Sequence, residues 1–138
     1  DIKPTRLTLT FTNVGKEPLK LSSYNLTAAL NFNVTPLGSA HVVTKAVPPI
    51  LVRHPMGERD VHVCAPGESF SITLDFPGRI GTREHTLMST GEYAVSVTYT
   101  AEARDESKIS DDFTWLRGLW SGSVTSSEIV LRGIPAEP

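Results

Sequence analysis

An alternation of apolar and hydroxyl side chains near the start of the chain constrains the fold most. In the run LTLTFT, the side chains of Leu7, Leu9 and Phe11 fall on one face of an extended chain, with threonines on the other. This period of two produces a one-sided β-strand and cannot produce a one-sided helix. Turn-forming residues follow in NVGKEP, and the alternation resumes at Leu19 and Leu21. The segment therefore predicts a strand, a turn and a second strand.

The same pattern recurs along the chain and predicts an all-β fold. We predict strands at residues 6–12, 19–24, 30–35, 40–46, 59–64, 69–76, 91–101 and 121–132. Within 69–76, strict alternation places Phe70, Ile72, Leu74 and Phe76 on one inward face. The spacing of the strands, with proline and glycine between them, is typical of an antiparallel β-sandwich. We expect one domain over residues 1–138, of about seven to nine strands with little helix.

Composition and charge exclude several classes of partner. The 138 residues carry a formal net charge of −2, and the lysines and arginines are scattered singly. A protein that neutralises phosphates needs clustered basic residues, so we expect no nucleic-acid partner. No apolar run approaches the roughly 20 residues that span a bilayer, so we expect no membrane insertion.

Three sequence elements carry a resemblance to a known family. The segments LTLTFTNVGKEPLKL, APGESFSITLDF and TGEYAVSVTY resemble the immunoglobulin-like domain that precedes the catalytic domain in bacterial deuterolysin-type metallopeptidases, and similar stand-alone bacterial domains. The resemblance covers about residues 6 to 100 and implies an immunoglobulin-like sandwich. The chain departs from the peptidases because it contains no His-Glu-x-x-His motif. We therefore expect a non-catalytic module of an exported bacterial protein, located extracellularly or in the periplasm.

The residues that could carry catalysis or hold a metal do not form a recognisable constellation. His62 and the single cysteine, Cys64, share one face of a predicted strand but lack a third ligand at compatible spacing. No Gly-x-Ser-x-Gly motif is present. We expect Cys64 to be a buried, inert thiol, and we predict no catalytic residue, metal or cofactor. An enzyme is the least favoured of the functional alternatives.

The strongest candidate for partner binding is the sequence FTWLRGLW, which contains both tryptophans of the chain. Tryptophan and arginine dominate interface hot spots, so we predict a protein or glycan partner that contacts Phe113, Trp115, Arg117 and Trp120. The preceding residues, 102–112, are acidic and poor in large apolar side chains. We therefore expect a loop or long hairpin that projects from the sheets, with Trp115 more exposed than Trp120.

A second hypothesis is a peptidase inhibitor or propeptide-like module that acts through an extended loop. Its candidate residues are Val47, Pro48, Pro49 and Ile50, where the prolines favour an extended backbone. Asn25 and Asn33 each begin an Asn-x-Thr triplet, which is a glycosylation acceptor only in a secreting eukaryote.

Overall fold

The computed structural model describes residues 5–22, 29–46, 57–76 and 84–133, and most of them lie in β-strands. The strands are β1 (Thr5–Thr12), β2 (Leu19–Ser22), β3 (Leu30–Leu37), β4 (Val42–Ala46), β5 (Val61–Cys64), β6 (Ser69–Phe76), β7 (Glu84–Met88), β8 (Gly91–Ala101), β9 (Gly122–Thr125) and β10 (Ile129–Gly133). Short 3-10 helices lie at Glu58–Asp60, Glu106–Lys108 and Asp111–Leu116. Within the described ranges, no helix has the length and apolar character needed to cross a membrane. The prediction of an all-β chain with little helix is confirmed for these residues.

Among the described residues the strands form four antiparallel sheets, and the long strand β8 lies at the centre of the largest. β3 pairs with one edge of β8, while β10 and β9 pair with successive parts of its other edge. β1 pairs with β6, β2 with β5, and β4 with β7. The bounds of β6 and β8 are those predicted, whereas β7 was not predicted.

The predicted strand at residues 121–132 is divided in two, because Ser126 interrupts its ladder. The Val97 amide donates to the Ser126 side-chain hydroxyl at 3.0 Å, where a continuous strand would offer a main-chain carbonyl. The Ser126 amide donates in turn to the Val97 carbonyl at 2.9 Å. The side chain thus replaces one ladder acceptor, and regular pairing stops after Thr125 and resumes at Ile129.

The core forms where the apolar rows of β1 and β6 meet those of β3 and β8. One cluster contains the buried side chains of Phe76, Tyr93 and Val95, and a second contains Leu30, Val97 and Tyr99. Partly buried residues of β1 and β6 pack against these clusters: Leu7, Leu9, Phe11, Phe70, Ile72 and Leu74. The predicted inward face of β6 is therefore confirmed.

The opposite faces carry hydroxyl groups that pair across the strands. In the β1–β6 ladder, Thr8 meets Thr73 at 3.3 Å and Thr10 meets Ser71 at 2.9 Å. Cross-strand hydroxyl pairs are a favourable way to fill an exposed sheet face. The alternation seen in the sequence thus separates one apolar face from one hydroxyl face.

The Gly-x-Tyr motif at the start of β8 forms a buried corner. Gly91 has φ +127°, and a Cβ there would lie 2.7 Å from the Ala40 Cβ, so only glycine fits. The fully buried Tyr93 places its hydroxyl between main-chain groups of two neighbouring segments. That hydroxyl accepts from the His41 amide at 3.0 Å, donates to the His41 carbonyl at 2.5 Å, and lies 3.0 Å from the Ser89 carbonyl.

Asn13 connects the turn after β1 to the end of β5. Its side-chain amide donates to the carbonyl oxygens of Glu17 at 2.7 Å and Cys64 at 2.9 Å, and its side-chain oxygen accepts from the Gly15 amide at 2.9 Å. Asn13 is 3% exposed, so these partners replace the water that its amide would otherwise bind.

Candidate functional site

The aromatic segment, defined as residues 113–120, belongs to a stretch that folds into short helices. The expected loop or long hairpin agrees with the connectivity, because residues 102–121 link the antiparallel strands β8 and β9. The connection itself contains two 3-10 helices that were not expected, Glu106–Lys108 and Asp111–Leu116. Each helix begins with a side-chain cap: the Asp105 carboxylate accepts from the Ser107 amide at 3.1 Å, and the Ser110 hydroxyl accepts from the Asp112 amide at 3.3 Å. These caps satisfy amides that would otherwise lack partners, which stabilises local turns over an extended chain.

Lys20, in β2, holds the aromatic segment to the strands. Its ammonium donates to the carbonyl oxygens of Arg117 at 2.8 Å and Trp115 at 3.4 Å. Carbonyls at the end of a helical turn lack partners within that turn, and a lysine ammonium is a favourable donor to them. The Lys20 carbonyl also accepts from the Trp120 amide at 2.8 Å.

Glu106 fixes the same segment from the other direction. Its carboxylate accepts from the Gly118 amide at 2.7 Å, and Gly118 has φ +74°, a conformation that favours glycine. The 3-10 helix Glu106–Lys108 is therefore bonded to the residues that follow the 3-10 helix Asp111–Leu116. Together with Lys20, this contact gives the aromatic segment a defined backbone.

Two of the predicted binding residues, Phe113 and Trp115, contact each other on this backbone, and a third, Arg117, follows two residues later in the chain. Phe113 is 48% exposed, and its ring meets the partly buried Trp115 edge to face, with 6.0 Å between centroids. The exposed guanidinium of Arg117 donates to the Ile109 carbonyl at 3.4 Å and lies 3.9 Å from the Asp111 carboxylate. An exposed ion pair of this kind contributes little to stability, so the guanidinium remains available to a partner.

Trp120, the fourth predicted residue, lies apart from this group and packs on the core. Its ring stacks on Tyr99 at a centroid distance of 5.8 Å, with an angle of 19° between the rings. It is partly buried and belongs to the cluster that contains Leu30 and Val97.

The residues of the alternative hypothesis, Val47, Pro48, Pro49 and Ile50, lie outside the described residues. The structure gives no geometry for that hypothesis.

Cys64 and His62 occupy structural positions. Cys64 is 4% exposed and carries a free thiol, as expected. The His62 ring stacks on Phe70 with a centroid distance of 4.8 Å. In the part of the chain that the structure describes, no three histidine, cysteine or acidic side chains converge as metal ligands would.

A large apolar cleft, which sequence reasoning did not find, opens between β1 and the β9–β10 edge. We call it the edge cleft; its volume is about 760 Å³. Every residue from Leu7 to Thr12 lines the edge cleft. Successive side chains of a strand point to opposite faces, so a cleft on one face would be lined by alternate residues only. The edge cleft therefore borders the edge of β1. Core residues of β3 and β8 line it as well, and residues 124–127 with Ile129 form the far side.

The edge cleft exposes apolar surface and carries little charge. Val124 is 51% exposed and Ile129 is 46% exposed, although both line it. Among the described residues, its charged lining side chains are Lys16 and Glu17, both in the turn after β1. Tyr99 also lines it, and burial raises the pKa of the Tyr99 hydroxyl above its usual value.

Comparison of the chain with known proteins finds no matching family model, no curated relative and no similar solved structure.

Proposed function

We propose that this chain is a non-catalytic binding module of an exported bacterial protein, located extracellularly or in the periplasm, and that it recognises another protein through its aromatic segment. The observation that carries the proposal is the group of Phe113, Trp115 and Arg117 on a backbone fixed by Lys20 and Glu106. A surface that is already ordered loses less conformational entropy on binding. Tryptophan and arginine are also the residue types that most often dominate interface energies.

We propose an immunoglobulin-like sandwich as the architecture. Two features support it: the apolar faces of the β1–β6 and β3–β8 ladders share a core, and the Tyr93 hydroxyl bonds the main-chain carbonyl of Ser89, just upstream of β8, as well as that of His41 before β4. A tyrosine in that position resembles the tyrosine corner of immunoglobulin-like domains. Such a scaffold presents connecting segments rigidly, as binding modules require.

A protein is favoured over a glycan as the partner. The rings of Phe113 and Trp115 meet at 81°, so they do not form one flat platform on which a sugar ring could stack. Arg117, two residues after Trp115, offers a charged donor to a carboxylate or a main-chain carbonyl.

The test is a comparative capture experiment with the immobilised protein and the secreted extract of its source. The double variant Phe113→Ala with Trp115→Ala should lose a partner that the unchanged protein retains. Val63→Ala is the matched control, because Val63 is an apolar β5 residue that is 60% exposed. Equal capture by the double variant would contradict the proposal, and capture that survives proteolysis of the extract but not glycosidase treatment would assign the partner to glycans.

A further inference from the structure

We propose that the edge cleft accepts an extended strand from another polypeptide, which adds to the edge of β1 that has no strand partner in the described part of the chain. This inference goes beyond the proposed function, because Trp120 is the one residue of the aromatic segment that lines the edge cleft. The occupant is an uncharged extended segment with apolar side chains at alternate positions.

The free edge of β1 is the first observation. β1 pairs with β6 along all eight residues, from Thr5 opposite Phe76 to Thr12 opposite Ser69, and has no second strand partner among the described residues. Half of its main-chain donors and acceptors therefore point away from β6, toward the edge cleft. Such an edge is a template for pairing with another chain.

The edge of β1 also lacks the features that usually prevent pairing. Edge strands are commonly protected by lysine, proline, a bulge or a short length. Residues 7–12 of β1 contain no lysine or proline, and their register with β6 is unbroken. The opposite wall differs, since the break at Ser126 separates β9 from β10. The added strand therefore pairs with β1 and only packs against β9 and β10.

The lining defines the chemistry of the added strand. A third strand beside β1 would continue its alternation, with one face toward the core and one beside the hydroxyl face. The inward face would cover the exposed parts of Val124 and Ile129 and the partly exposed Leu9 and Phe11. Because the nearby charges are confined to Lys16 and Glu17, a charged inward side chain would lose its hydration without a partner.

The size of the cleft fits a single strand. Its volume of about 760 Å³ equals the liquid volume of about 25 water molecules. The six residues of β1 along its border span roughly 20 Å, which matches an extended segment of six residues. Walls on both sides favour a single inserted strand over the intact sheet of a second copy.

The test uses a synthetic peptide with Thr-Val-Thr-Val-Thr-Val between Gly-Lys ends, titrated into the protein. A peptide of equal composition with the three threonines first and the three valines after them is the control. We expect saturable binding of the alternating peptide, binding of the control about tenfold weaker or less, and slower hydrogen exchange of the β1 amides in the complex.

Two neighbouring residues of β10 provide matched variants. Ile129 lines the edge cleft, whereas Val130, which is 63% exposed, does not. Ile129→Lys should weaken binding of the alternating peptide about tenfold, and Val130→Lys should leave it within about twofold. Both positions are substantially exposed, so thermal midpoints should remain close to that of the unchanged protein.

Three results would overturn the inference. The first is equal binding of the two peptides, or equal effects of the two lysine variants. The second is uptake of a small apolar probe, 1-anilinonaphthalene-8-sulfonate, without peptide binding, which would indicate a small-molecule cleft. The third is a dimer in sedimentation that the peptide does not dissociate, which would assign the edge to a second copy. Each of these outcomes leaves the proposed role of Phe113 and Trp115 separately testable.

Discussion

Two polar side chains, those of Asn13 and Lys20, join parts of the molecule that are distant in the chain. The Asn13 side chain bonds the Cys64 carbonyl, 51 residues away in the sequence, and the Lys20 side chain bonds carbonyls 95 and 97 residues away. Both side chains donate to main-chain carbonyls. The buried Asn13 amide would be costly to leave unpaired, and the partly buried Lys20 ammonium bonds two carbonyls at once, so each residue fixes the position of a connecting segment.

Replacement of Asn13 by aspartate should be strongly destabilising. The change removes both side-chain amide donors and places a carboxylate against the carbonyl oxygens of Glu17 and Cys64. We expect a loss of about 2–4 kcal/mol in the free energy of unfolding, measured by urea titration. Asn31→Asp is the control, because Asn31 is exposed on β3, and it should change stability by no more than about 0.5 kcal/mol. Equal losses would show that the bonds of Asn13 contribute nothing.

Tyr99 should make stability depend on alkaline pH. Burial raises the pKa of its hydroxyl, so the folded chain holds that proton more tightly than the unfolded chain. The resulting stabilisation is fully present below the unfolded pKa of about 10 and is lost as pH rises through the folded value. We expect the free energy of unfolding to fall above about pH 10, with a smaller fall in Tyr99→Phe. An identical fall in the variant would exclude this cause.

At the scale of single elements, strand periodicity was the reliable guide. β6 and β8 have the predicted bounds, because their alternation runs without interruption. β7 (Glu84–Met88) has no such pattern and is positioned by its pairing with β4, a contact between distant segments. The division of β9 from β10 depends on where the Ser126 hydroxyl bonds, and the two 3-10 helices between β8 and β9 depend on caps at Asp105 and Ser110. The periodicity of hydrophobic residues predicts neither the pairing of distant strands nor the side-chain hydrogen bonds that end a strand or cap a helix.

The register of β6 gives a direct test at this scale. Leu74 packs against both core clusters, whereas its neighbour Thr73 is exposed and bonds Thr8. Leu74→Ala should cost about 2–5 kcal/mol of unfolding free energy, the range for emptying an apolar core site. Thr73→Ala should cost less than about 1 kcal/mol. Comparable losses in a denaturant titration would show that the assignment of the two faces of β6 is wrong.

At the scale of the whole molecule, the residues of the candidate site could be predicted from the sequence, but the contacts that order their backbone could not. The grouping of Phe113, Trp115 and Arg117 is visible in one short run, while the contacts of Lys20 and Glu106 that order it come from separate segments. The edge cleft is less predictable still. It depends on which strand lies at the border of a ladder, and pairing between distant strands determines that position.

The positions of the two tryptophans in the fold give them different roles. Trp120 stacks on Tyr99 and extends the core, so its removal should cost stability. Trp115 contacts Phe113 at the surface, so its removal should cost binding. We therefore expect different consequences from the same substitution at two tryptophans that are five residues apart in the sequence and differ only in their location.

The most direct test of the binding proposal is therefore a paired measurement on Trp115→Ala and Trp120→Ala. Titration calorimetry with the captured partner would give the affinity, and urea unfolding would give the stability. We predict that Trp115→Ala weakens binding by about 2 kcal/mol or more while changing stability by no more than about 1 kcal/mol. Trp120→Ala should instead lower stability by about 2 kcal/mol or more. A Trp115→Ala variant that loses several kcal/mol of stability and binds its partner unchanged would contradict the account.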